Sequence, residues 1–228
     1  EHQDQSGEPI NADVTGVEIY NVVFSLAESP FDADEMWAGS DDGRLHVTRD
    51  AGSTWTEITP PGMPQYGTVD EIELSAHAPG RAYVAVQRYR LDDFAPYIFR
   101  TDDYGSSWAL ATDGIPGDFP VRTVREDAEQ EGLLFAGTEY GLFVSFNGGR
   151  AWQSFQQNLP ITPVSGMRVA HNDLIISTQG RSFWILDDIS PLRELTAAVG
   201  AGAHLFKPRD EYRLTNVGPT FLAELAPE

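Results

Sequence analysis

Four acidic pairs, Asp41/Asp42, Asp92/Asp93, Asp102/Asp103 and Asp187/Asp188, are the residues whose type and spacing first invite a chemical reading. Two carboxyl groups flanking one sugar, roughly 5–9.5 Å apart, suffice to hydrolyse a glycosidic bond. Adjacent residues on a strand point to opposite faces, however, so a pair in sequence is not a pair in space. These pairs therefore read first as turn ligands and solvated rims. The five histidines, His2, His46, His77, His171 and His204, lie far apart without metal-ligand spacing. Cysteine is absent, which excludes thiolate metal sites and disulfides. There is no calcium-loop spacing, no Ser/His/Asp signature and no phosphate loop, so neither a metal nor a cofactor is expected.

Some of these acids belong to a repeat. TRDAGSTW (48–55), TDDYGSSW (101–108) and SFNGGRAW (145–152) all follow Ser/Thr-x-Asp/Asn-x-Gly-x-x-Trp. Each position has a structural job. Asp50, Asp103 and Asn147 can accept backbone N–H bonds two residues on and close a turn from inside. The hydroxyls of Thr48, Thr101 and Ser145 can bond the same loop. Gly52, Gly105 and Gly149 permit a positive φ. Trp55, Trp108 and Trp152 open the next strand and cover the floor between neighbouring sheets. No catalytic step is needed to explain any of the four.

Such corners need strands on either side. Short apolar strands precede each copy, and an exit strand ending at Pro60, Pro116 or Pro160 follows it. The unit is thus four strands, recurring at a period of the size that marks repeat architecture. A fourth unit, SGMRVAHN, DLIISTQG and RSFWILDD, puts Asp187 at the acid position but loses the Gly-x-x-Trp tail; AHLFKP (203–208) reads as its exit strand. Helical periodicity is confined to 190–197. The expected fold is an all-β propeller, or propeller arc, of about four blades with four antiparallel strands each. A β-sandwich does not predict one turn sequence recurring at blade spacing. The expected divisions are an N-terminal extension (1–16), a propeller-like domain (17–212, blades near 17–60, 61–116, 117–160 and 161–208) and a tail (213–228).

The repeat resembles the Asp-box, or BNR repeat, of sialidases, xyloglucanase-type glycosidases and sortilin-like receptors. A wider likeness, through WAGSDDGRLHVTRDAGSTW, AYVAVQRYRLDDFAPYIFRTDDYGSSW, LLFAGTEYGLFVSF and STQGRSFWILDDISPLREL, is to the C-terminal part of large bacterial BNR-repeat proteins labelled sortilin-like or glycosyl hydrolase. The resemblance implies a structural role on the propeller rim for Asp50, Asp103 and Asn147, and an exported, extracytoplasmic protein. The arginine cluster and the Arg-Ile-Pro signature of sialidases are missing.

The charge balance narrows the partners. Thirty-five acids face fifteen bases, a formal net charge of −20, and Lys207 is the single lysine. That field disfavours nucleic acid and bare anionic membranes, and favours solubility or a basic partner protein. No run is long enough to span a bilayer, which takes about 20 apolar residues. The long insertion QRYRLDDFAPY (87–97) gathers Arg88, Tyr89, Arg90, Asp92, Asp93, Phe94 and Tyr97, a composition suited to protein recognition or to an internal plug. Arg181, Phe183 and Trp184 form a second candidate patch, with core as the competing reading for the aromatics. The expected function is a non-catalytic, protein-binding or bracing propeller subunit of a larger assembly, membrane-associated complexes included. A glycoside hydrolase or sugar-binding propeller is the alternative.

Overall fold

The computed structural model describes residues 22–198 and 203–209. The extension at 1–16 and the tail at 213–228 lie outside these. The chain divides into two compact units, Glu1–Ile189 and Ser190–Glu228.

The first unit is all-β, a four-blade propeller arc. Blade 1 holds β1 (Val23–Glu28), β2 (Met36–Ser40), β3 (Leu45–Thr48) and β4 (Thr56–Glu57). Blade 2 holds β5 (Thr68–Leu74), β6 (Ala82–Arg88), β7 (Asp93–Thr101) and β8 (Ala109–Leu110). Blade 3 holds β9 (Val121–Glu126), β10 (Leu134–Thr138), β11 (Gly141–Ser145) and β12 (Gln153–Ser154). Blade 4 holds β13 (Val164–Ala170), β14 (Asp173–Thr178) and β15 (Phe183–Leu186). Each is an antiparallel meander with strands in sequence order.

Burial along the strands reports which blades are enclosed. In blade 3, β10 (LFAGT) and β11 (GLFVS) are buried at every residue, because a blade covers each face. In blade 1, β2 (MWAGS) alternates, since only one face is covered. The core accordingly lies between blades. Trp37, Leu45 and Val47 pack on Val69, Ile72 and Val84 between blades 1 and 2. Tyr83, Ala85 and Ile98 pack on Val124, Ala136 and Phe143 between blades 2 and 3.

The sheet registers align the four first strands. Each carries a register shift after its leading valine, making Phe24, Asp70, Arg122 and Ser165 equivalent bulge residues. A bulge bends its strand and re-aims the side chain.

Two expectations are corrected. Blade 4 has three strands, and AHLFKP forms no exit strand. In the second unit α1 (Ser190–Ala198) follows instead, and His204 Nε2 lies 3.0 Å from Glu194 Oε2. The exit strand fails because Leu186 replaces the corner hydroxyl and no Gly-x-x-Trp turn sends the chain back along β15.

Candidate functional site

The Asp-box corners share one geometry. Thr48 Oγ1 donates to Asp50 Oδ1 at 2.8 Å and accepts the Gly52 N–H at 2.9 Å. Asp50 then accepts the Thr54 N–H at 2.8 Å and the Thr54 hydroxyl at 2.6 Å. Thr101, Asp103, Gly105 and Ser107 repeat every contact. In the third corner Asn147 accepts from Ser145 Oγ at 2.9 Å and from the Ala151 N–H at 2.9 Å, and Gly149 N donates to Ser145 Oγ. The backbone bond thus spans four residues, not two. The reason is a pair of left-handed residues inside each corner: Ala51 and Gly52, Tyr104 and Gly105, Gly148 and Gly149. Hydrogen bonds from Thr54 and Ser107 hold the Asp50 and Asp103 carboxyls below the usual range.

The tryptophans tie blades together. Trp108 Nε1 donates to Ile58 O of blade 1 at 3.0 Å, and Trp152 Nε1 to Ala111 O of blade 2 at 2.9 Å. Trp55, in the first blade, stays exposed. In blade 4, Leu186 pairs with Leu174 as Thr48 pairs with Met36, so Asp188 rather than Asp187 stands at the acid's register. The Ile189 N–H bonds Asn172 O at 2.7 Å, matching the Ala51 to Asp34 tether. Asp187 is exposed. The corners join third and fourth strands in blades 1 to 3; Thr101, Ser107 and Trp108 of the second and Gly148 and Gly149 of the third line one cavity of about 320 Å³, which no residue of the first corner lines.

The insertion lengthens the β6–β7 hairpin around a 3-10 turn at Tyr89–Leu91. Much of it is engaged internally. Arg88 Nε donates to Gln65 O at 2.7 Å, and its Nη1 lies 3.4 Å from Asp93 Oδ2. Tyr97 Oη donates to Asp93 at 3.0 Å, and Arg122 lies 5.2 Å over the Tyr89 ring. Arg90, Asp92 and Phe94 are exposed. In β15 the pleat separates the aromatics: Trp184 is half-buried beside Phe155, whereas Phe183 and Arg181 are exposed.

Sequence reasoning missed the most charged feature, on the innermost strands. A groove of about 440 Å³ between β1 and β5 is lined by Glu28, Asp70, Glu71 and Glu73 against the one cation Arg125. Arg125 Nη1 lies 2.5 Å from Glu73 Oε2, pairs also with Glu71, and donates from Nε to Met167 O at 2.8 Å. Glu73 accepts the Glu126 N–H at 3.0 Å. Burial pushes the Glu71 and Glu73 carboxyls up, and Arg125 opposes it. Asp70, on its bulge, is pushed up to about 7 by burial, only partly countered by Arg122. Its Oδ2 is buried without a hydrogen-bond partner, as is Gln87 Oε1. The available signal was opposite charge in matching strands, VDEIEL and VRTVRE, but strand periodicity alone does not say they meet.

Among the described residues, no cluster of three His, Asp or Glu could hold a metal, and no helix is long and apolar enough to cross a membrane. No protein-family model matches the chain, and no curated protein matches it. Solved β-propeller structures do. YCF48 bound to D1 peptide aligns with TM-score 0.54 and 16% identity over 72% of this chain and 50% of that one. The GH74 xyloglucanase from Xanthomonas campestris aligns with TM-score 0.56 and 16% identity over 74% of this chain and 29% of that one. The extracellular domain of the hybrid two component system BT3049 from B. thetaiotaomicron aligns with TM-score 0.55 and 14% identity over 73% of this chain and 23% of that one. The chain spans half or less of each, and at these identities what is shared is the β-propeller fold.

Proposed function

We propose that this chain is a non-catalytic recognition module, acting outside the cytoplasm, whose inner-strand groove receives a basic segment of a partner protein. The observation that carries this reading is the lining of the groove, four carboxylates against one guanidinium, within a chain of net charge −20. A cationic segment is drawn to such a field and repelled by few neighbours. The propeller YCF48 was solved with a bound peptide, which supports peptide recognition on this fold. Export is supported by the extracellular neighbour and by the BNR-type repeat. Against catalysis, the carboxyl with a pKa near 7, Asp70, keeps its Oδ2 sealed from the groove, while Glu71 and Glu73 are committed to Arg125. A glycosidase needs both carboxyls open to one sugar.

The test is an NMR titration of the full chain with an arginine- and lysine-rich decapeptide, its acidic counterpart, and xyloglucan oligosaccharides. Saturable shifts with the basic peptide alone are expected, weakening as salt rises and at least tenfold weaker in Glu28→Lys. Oligosaccharide cleavage, lost in Asp70→Asn, would replace this reading with the hydrolase one.

A further inference from the structure

We propose that the two uncovered sheet faces at the ends of the blade series are the halves of one more blade–blade junction, closed head-to-tail by a second copy of this chain.

Equivalent positions make the case at the first end. Val23, Val69, Val121 and Val164 lead the four inner strands in matching register. The last three are fully buried by the preceding blade, whereas Val23 is 62% exposed. Leu26 is 61% exposed, while its counterparts Ile72, Val124 and Met167 are at most 5% exposed. Blade 1 thus carries the apolar residues of a covered strand on a face that no other blade among the described residues covers.

Blade 4 mirrors this on its opposite face. Phe183 and Ile185 occupy the register of Leu142 and Val144, which the following blade buries to within 3%. Phe183 is 75% and Ile185 59% exposed. A large exposed apolar face of this kind marks an interaction site.

The occupant follows from polarity and charge. The bare face of blade 4 is a following-blade face and that of blade 1 a preceding-blade face, so each complements the other and neither complements itself. Arg168 occupies the register of Arg125, whose Nε bonds the inner-strand carbonyl of the next blade. Glu28 occupies the register of Glu126, whose N–H meets Glu73 of the preceding blade. Across a blade 4 to blade 1 junction, Arg168 is therefore aimed at the carbonyl of Leu26, which holds the register of Met167. Two copies satisfy both junctions at once in a two-fold ring of eight blades, within the range propellers adopt. The net charge of −20 on each copy opposes association, so the dimer strengthens as salt screens it.

Sedimentation analysis of the full chain from 0.05 to 1 M salt tests this. A monomer–dimer equilibrium shifting at least tenfold toward dimer at high salt is expected. Leu26→Glu and Phe183→Glu, both at exposed sites, each abolish the dimer while circular dichroism stays unchanged; Arg168→Glu weakens it. A monomer at every salt concentration, a dimer lost in only one of the two apolar variants, or open-ended oligomers would each overturn the proposal. The opposite salt dependence of basic-peptide binding keeps the two readings separable.

Discussion

Asp70 shows how one residue sets a cost that its neighbours only partly offset. Its place on the β5 bulge withdraws Oδ2 from water and leaves that atom without a hydrogen-bond partner. Burial disfavours the charged carboxyl by more than Arg122 and the Gln87 side-chain hydrogen bond favour it, raising its pKa from 3.8 to about 7. The folded state then binds more protons than the unfolded one between those values, so stability falls as pH rises from about 4 to 7. Asp70→Asn carries a permanent donor and no charge. Denaturant titrations should show the variant more stable than the parent at pH 8, by on the order of 2–4 kcal/mol, and nearly equal at pH 4. A variant equally or less stable at pH 8 would contradict this. The Asp-box residues behave oppositely: hydrogen bonds favour the ionised forms of Asp50 and Asp103, whose contribution fades only as pH falls through their lowered pKa values.

At the scale of the blade, close approach between sheets depends on what stands at one position of each second strand. Gly39, Ala85, Gly137 and Ser177 share that register, each facing the residue two places after the inner-strand valine that precedes the bulge. A Cβ on Gly137 would sit 2.5 Å from Thr123 Cγ2 and 2.6 Å from Val164 Cγ1. Both neighbours are β-branched and stiff at χ1, so neither can swing aside. Gly137→Ala should destabilise by about 1–3 kcal/mol through overpacking. Gly166→Ala, whose Cβ meets only Ser177 Oγ at 3.0 Å, should be close to neutral in the same thermal melts. Equal effects would place the constraint in the backbone rather than in the junction. The Asp-box corners were legible in the sequence because a tight turn writes its needs locally, in Thr48, Asp50 and Gly52 within five residues. Gly137 and Arg125 were not, because their reasons lie on the next blade, at Val164 and Met167, well beyond the span of any local turn. The fourth blade lay between: Leu186 in the hydroxyl's place removes the local signature, and only the pairing with Leu174 puts Asp188 in register.

For the molecule as a whole, Arg125 joins three blades: it stands on blade 3, pairs with Glu71 and Glu73 of blade 2, and bonds Met167 O of blade 4. Its cation also offsets part of the surplus acid lining the groove. Burial already raises both glutamates with Arg125 present, and without it the two carboxylates face each other unpaired. Breaking a buried pair on one side costs more than the pair was worth, because a desolvated charge remains. Arg125 is half-buried, so Arg125→Met should cost roughly 2–4 kcal/mol at pH 8, between the exposed and fully buried cases. The sign with pH follows from the raised carboxyls. As pH falls through their elevated pKa values they take up protons, repulsion and desolvation both ease, and the deficit shrinks. Urea unfolding of parent and variant at pH 8 and pH 5 should therefore show a gap that narrows with acid. Glu73→Gln combined with Arg125→Met should recover part of the loss at pH 8 and little at pH 5. A gap that is constant with pH would mean that the lost bond to Met167, rather than the stranded carboxylates, holds the blades together.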